Sequence, residues 1–324
     1  MKMKLFSLFP LFIVSACTGK KYQSIWYPVT KTATEIKSIT WFLIGISTII
    51  LLAVMILLVL SLLKNEKDNT RNPGKKFVLW SGLIIPSVIL LIMLFYSLNT
   101  TMKIREYNKE TMEGEHLLIK VTGHQWWWEV EYPQYEILTA NEIYVPSGRP
   151  VRFELSSKDV IHSFWIPNIH GKMDMIPGMK TYLNAKVDDP GVFRGQCAEY
   201  CGLQHSFMSL YFVAQTEEDF KKWTANRKEK ITPLSTKGKE VFFKESCHTC
   251  HAIKNTEAMG KAGPDLTHIS SRLSLGAGTI SNNRNNLRMW ILNSHEFKPK
   301  NRMPTYDIPA EELEALLDYL EELR

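Results

Sequence analysis

Cys197-Ala198-Glu199-Tyr200-Cys201-Gly202-Leu203-Gln204-His205-Ser206-Phe207-Met208 places two thiols, an imidazole and a thioether within a dozen residues. Soft sulfur donors beside imidazole select copper, because thiolate and thioether stabilise Cu(I) while imidazole suits both oxidation states. A mononuclear blue site uses one Cys, one Met and two His, and this stretch carries one thiolate more than that. Two Cys four residues apart can instead bridge two copper ions, with His205 and Met208 as terminal ligands and a second His supplied from elsewhere. A disulfide between Cys197 and Cys201 and a zinc site are the competing readings.

The residues around this stretch alternate in the manner of short strands. Leu117-Leu118-Ile119-Lys120-Val121 leads into Gly123-His124-Gln125-Trp126-Trp127-Trp128-Glu129-Val130-Glu131-Tyr132, and further β-branched runs lie at 142–145, 151–155, 182–187 and 210–214. Turn residues such as Pro146-Ser147-Gly148 and Asp188-Asp189-Pro190-Gly191 separate them. The pattern predicts an all-β Greek-key sandwich or barrel with metal ligands on loops at one end. In the tryptophan run, Trp126 and Trp128 are expected to face the core and Trp127 to cover a neighbouring surface. An exposed aromatic there would also suit the docking surface of an electron donor. His162, in Val160-Ile161-His162-Ser163-Phe164-Trp165-Ile166-Pro167, follows the strand predicted at 151–155 and is a candidate second imidazole. His116, His124 and His170 are its rivals, and spacing alone does not choose.

The N-terminal region reads as a membrane anchor. Lys2 and Lys4, the apolar run 5–14 and Ser15-Ala16-Cys17 form a secretory signal. Small residues directly before Cys17 resemble the bacterial lipoprotein box, which implies cleavage before Cys17 and lipid on its sulfur. Residues 39–63 and 77–98 are each apolar and long enough to cross about 30 Å of hydrocarbon. Between them Lys64, Lys67, Arg71, Lys75 and Lys76 outnumber Glu66 and Asp68, placing that loop in the cytoplasm and all that follows 99 outside. Of the chain's net charge of +6, residues 1–114 account for more than all, with 14 Lys/Arg against 6 Asp/Glu. The basic excess therefore belongs to the anchor, and no basic stripe marks a nucleic-acid partner.

The C-terminal region carries a second redox motif. Residues 217–230 are charged, Ile231-Thr232-Pro233-Leu234-Ser235 marks a boundary, and 236–243 has helical apolar spacing. It runs into Cys247-His248-Thr249-Cys250-His251, the c-type haem attachment pattern. Two thiols at this spacing match the two haem vinyl groups, and His251 reaches the iron. Zinc would need a second Cys pair, and a thioredoxin-like site a βαβ context; neither is present. With Cys17 in the signal, the five cysteines leave no pair for a structural disulfide. Met303, in Asn301-Arg302-Met303-Pro304, is the preferred distal ligand, ahead of Met259 and Met289. His268 and His295 are expected to be exposed. Met-Pro and Gly263-Pro264-Asp265-Leu266 both match class I cytochromes c. Met–His ligation raises the haem potential, as suits a donor to copper. Residues 310–324 form a helix with Leu313, Leu316, Leu317 and Leu320 on one face.

Residues 30–224 resemble subunit II of the haem–copper cytochrome c oxidases. The resemblance rests on the two spans, Gly123-His124-Gln125-Trp126-Trp127-Trp128, His162-Ser163-Phe164 with Pro167, Asp174-Met175-Ile176-Pro177-Gly178, and residues 197–208. It implies a dinuclear CuA centre held by His162, Cys197, Cys201, His205 and Met208 with the main-chain carbonyl of Glu199. It also implies a magnesium site, shared with catalytic subunit I, that uses the Glu199 side chain, and Trp126 as the residue through which electrons enter. Trp127 stands where many relatives have Tyr. Phe77 stands where many carry a glutamate that feeds the proton path, so no proton role is carried over.

With the fused cytochrome, the resemblance implies subunit II of a caa3-type oxidase. This would be a multi-domain membrane protein: a lipoprotein-like signal (1–16), an N-terminal segment with a two-helix transmembrane hairpin (17–114), a cupredoxin-like CuA domain (115–224), a linker (225–234) and an all-α class I cytochrome c domain (235–324). It would sit in the bacterial cytoplasmic membrane, with copper and haem outside. Its partners would be subunit I and the other oxidase subunits, its donor a cytochrome or quinol-oxidising complex, and oxygen reduction would occur in the separate catalytic subunit. The alternatives are a membrane-tethered haem/copper carrier for another terminal reductase, which needs only one anchor, and a quinol-oxidase subunit, whose relatives lack the copper ligands.

Overall fold

The computed structural model describes residues 22–63, 74–111, 113–229 and 235–324. The signal with Cys17, most of the basic loop and the end of the linker lie outside the described residues. Two helices come first: α1 (Lys31–Leu63) and α2 (Lys75–Thr111), each long and apolar enough to cross a membrane. Both exceed the spans expected from apolar residues alone. Residues 99–111 are polar but rich in good helix formers such as Met102, Lys103, Arg105 and Glu106, so the helix continues. Within α2, Trp80–Ile84 forms a π turn. Pro86 has no N–H for the carbonyl of Gly82, and the wider turn accommodates the missing bond.

The middle of the chain is a β-sandwich of two five-stranded sheets, with strand orders β3-β2-β1-β5-β8 and β4-β10-β9-β6-β7. The strands are β1 (Leu117–His124), β2 (Trp127–Tyr132), β3 (Ile137–Ala140), β4 (Glu142–Pro146), β5 (Val151–Ser157), β6 (His162–Trp165), β7 (Met173–Met175), β8 (Thr181–Ala185), β9 (Gly191–Cys197) and β10 (Ser209–Gln215). Parallel pairing of β1 with β5 and of β10 with β4 gives the curled, cupredoxin-like topology. Along β1 burial alternates residue by residue, because one face meets Val130, Phe153, Phe164 and Phe212 in the core. Strands β3, β6, β7 and β9 go beyond the predicted set. β9 is obscured by its glycines. A Cβ at Gly195 would lie 2.8 Å from both Ile166 Cγ1 and Trp165 O, so only glycine lets β9 approach that closely.

α3 (Glu217–Lys228) is capped by Thr216, whose hydroxyl accepts from Asp219 N, and seals the sandwich with Phe220 and Trp223. The first residues of the expected linker are therefore helical. The C-terminal region comprises α4 (Thr236–Lys244), a small hairpin of β11 (Ser274–Leu275) and β12 (Ile280–Ser281), α5 (Arg284–Phe297) and α6 (Ala310–Glu321). α4 and α6 cross so closely that a Cβ at Gly238 would sit 2.1 Å from Ala315 O. The predicted leucine face of α6 is buried, as are Val241, Phe242 and Ile291 opposite it.

The cytochrome region is docked on the sandwich through the tip of the β11–β12 hairpin. Gly276, Ala277 and Gly278 have φ of 60, 58 and 77°, all left-handed. Ala277 packs against Trp127 and Ala140, and its carbonyl accepts from Ser209 N at 3.0 Å.

Candidate metal centre and haem cavity

The end of the sandwich assembles the soft donors from three places. His162 opens β6, Cys197 closes β9, and the β9–β10 connection supplies Cys201, His205 and Met208. His162 and Cys197 are thus strand residues, not loop residues as the alternation pattern suggests. The ligand atoms of His162, Cys197 and Cys201 lie within 4.8 Å of one another. Cys197 Sγ is 3.7 Å from Cys201 Sγ, 3.8 Å from His162 Nδ1 and 3.2 Å from the carbonyl oxygen of Glu199. Cys201 Sγ is 3.7 Å from His205 Nδ1 and 3.9 Å from Met208 Sδ. Both cysteines are free thiols and, with His162 and Met208, are almost wholly buried. A disulfide requires about 2.05 Å between sulfurs, so the bridge reading does not describe this geometry. Two thiols, two imidazoles, a thioether and a carbonyl around one buried point fit copper.

The electrostatics favour a thiolate at this point. Hydrogen bonding with Cys201, helped by His162 and main-chain groups, holds the Cys197 thiol well below its usual range. The same proximity pushes Cys201 up, so the second ionisation calls for a cation. Asp159 supports the ring of His162: its Oδ1 lies 2.9 Å from Nε2, leaving Nδ1 towards the sulfurs. Burial opposes ionisation of Asp159, but hydrogen bonds from His162, Val160 N and Gln125 N outweigh it and hold the carboxyl below its usual range. A carboxylate behind a ligand histidine fixes its tautomer and orientation. Nothing in the sequence marks Asp159 except its place three residues before His162.

The rival histidines lie outside this cluster. His124 stacks on Trp127 with ring centroids 4.2 Å apart, and burial pushes it down to about 4. His116 and His170 are absent from the cluster. Glu199 points its carbonyl at Cys197 while its carboxylate lies 3.5 Å from Lys172 Nζ on the surface.

Trp126 and Trp128 join the core of the sandwich and Trp127 lies apart from it, as expected, but Trp126 does so from a turn. β1 and β2 form a hairpin with His124 paired to Trp127, so Gln125 and Trp126 occupy the turn. Trp126 Nε1 donates to the carbonyl of Cys201 at 3.0 Å, and Gln125 Nε2 to the same oxygen at 2.8 Å. None of the three tryptophans is exposed: Trp128 is in the core, Trp127 is under Ala277, and Trp126 is 9% exposed. The expected exposed aromatic is therefore covered, because the cytochrome region sits on it.

Beside Trp126 lies a cavity of about 480 Å³, lined by Cys247, Cys250, His251 and Met303 on one side and by Gln125, Trp126, Trp127 and Asp159 on the other. Its walls include Phe242, Leu266, Leu275, Leu287 and Leu316. His251 Nδ1 is 2.7 Å from the carbonyl of Pro264, which leaves Nε2 for a metal. Burial keeps this imidazole below its usual range, hence neutral and able to ligate. A Cβ at Gly263 would sit 2.5 Å from His251 Cε1, so the glycine lets the ledge close on the ring. Met303 lines the cavity, whereas Met259 is 78% exposed and neither it nor Met289 does. Contrary to expectation, His268 is buried, with its ring nitrogens facing the carbonyls of Arg324 and Arg227. His295 is half-buried, with Nε2 3.0 Å from Met303 O. Two thiols, an imidazole and a thioether around an apolar cavity of this size fit a covalent haem.

Residues 136–215 match the family described as cytochrome c oxidase subunit II, periplasmic domain, and residues 235–324 match cytochrome c. The chain is 36% identical over 247 residues to cytochrome c oxidase subunit 2 of Alkalihalophilus pseudofirmus, covering 74% of this chain and 71% of that one. It is 32% identical over 265 residues to cytochrome c oxidase subunit 2 of Bacillus sp. (strain PS3), covering 76% and 74%. The crystal structure of the periplasmic domain of subunit II of cytochrome oxidase of Bradyrhizobium japonicum is 31% identical, with a TM-score of 0.35, covering 36% of this chain and 97% of that one. The chain belongs to the cytochrome c oxidase subunit II family, with a cytochrome c domain fused behind the periplasmic one, and is an electron-transferring, non-catalytic subunit of a haem–copper oxidase complex.

Proposed function

We propose that this chain is subunit II of a caa3-type cytochrome c oxidase, held in the bacterial cytoplasmic membrane by α1 and α2 and docked on catalytic subunit I. When bound, haem c and dinuclear copper A would supply one-electron transfer from a cytochrome or quinol-oxidising complex towards the oxygen-reducing subunit. The export signal at 1–16, lipid on Cys17 and outward placement of both redox domains belong to the same proposal.

The carrying observation is the position of Trp126. Its indole lines the haem cavity and donates Nε1–H to the carbonyl of Cys201. Cys247 and Cys250 would hold the haem edge, His251 and Met303 its iron. His162, Cys197, Cys201, His205, Met208 and the Glu199 carbonyl would hold copper, with Asp159 fixing the His162 ring. The Glu199 carboxylate faces outward, where a subunit-shared magnesium would need it. Near the half-buried His205, Tyr200 and Leu203 are 73% and 63% exposed, an apolar rim that the cytochrome region leaves free for a partner. Paired helices also argue against a free-standing carrier, for which one anchor suffices.

Metal and haem analysis of the purified complex, with its subunit composition, tests the proposal. The expected result is copper and covalent haem on this chain, copurifying with a large haem-bearing membrane subunit and oxygen uptake. Elution of the solubilised chain alone, with no oxygen uptake in any fraction containing it, would defeat the oxidase reading.

A further inference from the structure

The cytochrome domain and the sandwich exchange buried ionisable side chains in both directions. From the cytochrome side, Lys298 at the end of α5 is 4% exposed, and its Nζ donates to the carbonyls of Trp126 at 2.9 Å and Gly276 at 3.3 Å. From the sandwich side, Glu142 at the start of β4 is 1% exposed and accepts from Leu273 N, from Ser274 N and from the Tyr144 hydroxyl. A buried charge is costly unless hydrogen-bonded. Each of these groups keeps its cross-domain hydrogen bonds only while the two domains stay together.

Two further features converge on the same contact. Ala277 carries a side chain at a φ of 58°, an uncommon conformation for an L-residue, and is 2% exposed between Trp127 and Ala140. Such a conformation persists where the surroundings over-determine it. The loop that bears Lys298 also bears Met303. Asn301 Nδ2 donates to Lys298 O at 2.8 Å, and Asn301 Oδ1 accepts from Met303 N at 2.7 Å. One short loop therefore presents Met303 to the haem cavity and Lys298 to the turn that carries Trp126.

We propose that Lys298 is a positioning residue which, with Glu142, latches the cytochrome domain onto the sandwich and holds the haem cavity over Trp126 at all times. The linker then serves a docked donor, not one that searches for its target. On the Trp126 face, outside donors reach the copper only by way of the cytochrome, because Trp126 is covered. The identity of the cofactors rests on the function proposed above; the latch itself is a contact within the chain.

The test uses the full-length holo chain in detergent and two readouts. Hydrogen exchange follows the Ser209 amide, which donates to Ala277. Rapid mixing with a reduced soluble c-type cytochrome as the probe separates haem-to-copper transfer from direct reduction of copper. In Lys298→Met, Ser209 exchange should speed up by about tenfold or more, the loss of one buried hydrogen bond that leaves the Trp126 carbonyl without its donor. Internal transfer should slow by a similar factor while direct copper reduction appears, with haem spectrum and copper content unchanged. A merely structural role would depress both routes together. Ala277→Glu, at the hairpin tip, should give the same split and decides the matter if Lys298→Met does not accumulate. Lys300→Gln, which removes an exposed charge from the same loop, should change neither readout. Wild-type exchange and wild-type internal transfer in both Lys298→Met and Ala277→Glu would overturn the latch. Absence of haem or copper from the wild-type chain would instead defeat the proposed function, and the exchange measurement would still decide the latch.

Discussion

One methyl group added at Gly123 probes how His162 is held. Gly123 lies in β1, and a Cβ there would sit 2.8 Å from His162 Cδ2 and 3.0 Å from Cγ. Ordinary contact begins near 3.4 Å, so the ring must retreat by about 0.6 Å. It cannot do so freely. The ring is fully buried, the Trp128 indole packs against it at 6.0 Å between centroids, and Nε2 is bonded to Asp159. Overpacking of this kind costs about 1–3 kcal/mol of stability. Disturbed ligand orientation typically costs about 10- to 100-fold in metal affinity. Gly123→Ala removes no donor atom, so all sulfur ligands remain. Chelator competition should show copper bound more weakly by that factor, the mixed-valence electron paramagnetic resonance signal should change, and haem absorption should stay as it was. A variant with unchanged melting temperature, copper affinity and spectrum would refute the claim that packing against β1 sets the ring.

Cys197→Ser or Cys201→Ser should abolish the mixed-valence copper signal while leaving the haem spectrum intact; equal loss of both would indicate misfolding. Met303→Ala should perturb the low-spin haem spectrum and lower the potential in a redox titration, whereas an unchanged spectrum would transfer the ligand role to Met259 or Met289. His124 supplies an acid sensitivity, because burial lowers it from 6.5 to about 4 in the folded chain. Between these values the unfolded chain binds a proton that the folded chain refuses, so stability should decline as pH falls through that window. Melting curves of His124→Phe, which keeps a ring over Trp127, should show a shallower decline there, and an identical slope would remove His124 as the cause.

Residues that act through their own chemistry are legible in the sequence. Two thiols, an imidazole and a thioether within 197–208, or Cys-x-x-Cys-His at 247–251, are rare combinations whose spacing already matches a metal or a haem. Residues that act through a distant neighbour are not. Asp159, Glu142 and Lys298 are common residue types: Glu142 and Lys298 matter only because folding brings a partner from far along the chain, and Asp159 only because the turn after β5 aims its carboxylate at the ring of His162. The strands show the same division. β1 reads clearly because it has one wet and one dry face, whereas β9 carries glycines that are needed for close approach and weaken its pattern. Alternation places Trp126 and Trp128 in the core correctly, although Trp126 reaches it from the hairpin turn and not from a strand.

The surplus length of the two apolar helices has a mechanical consequence. Helices of 33 and 37 residues extend about 50 and about 55 Å, against about 30 Å of hydrocarbon. The first turn of α1 is rooted in the sandwich, where Thr30 donates to the carbonyl of Ile169 and Thr32 and Ala33 are buried. A rod fixed at one end transmits its angle to whatever it carries. Helices longer than the bilayer answer its thickness by tilting, so a thinner or thicker lipid sheet turns the copper-bearing head through an angle. Lipid composition thereby becomes a lever on how squarely that head faces its neighbour.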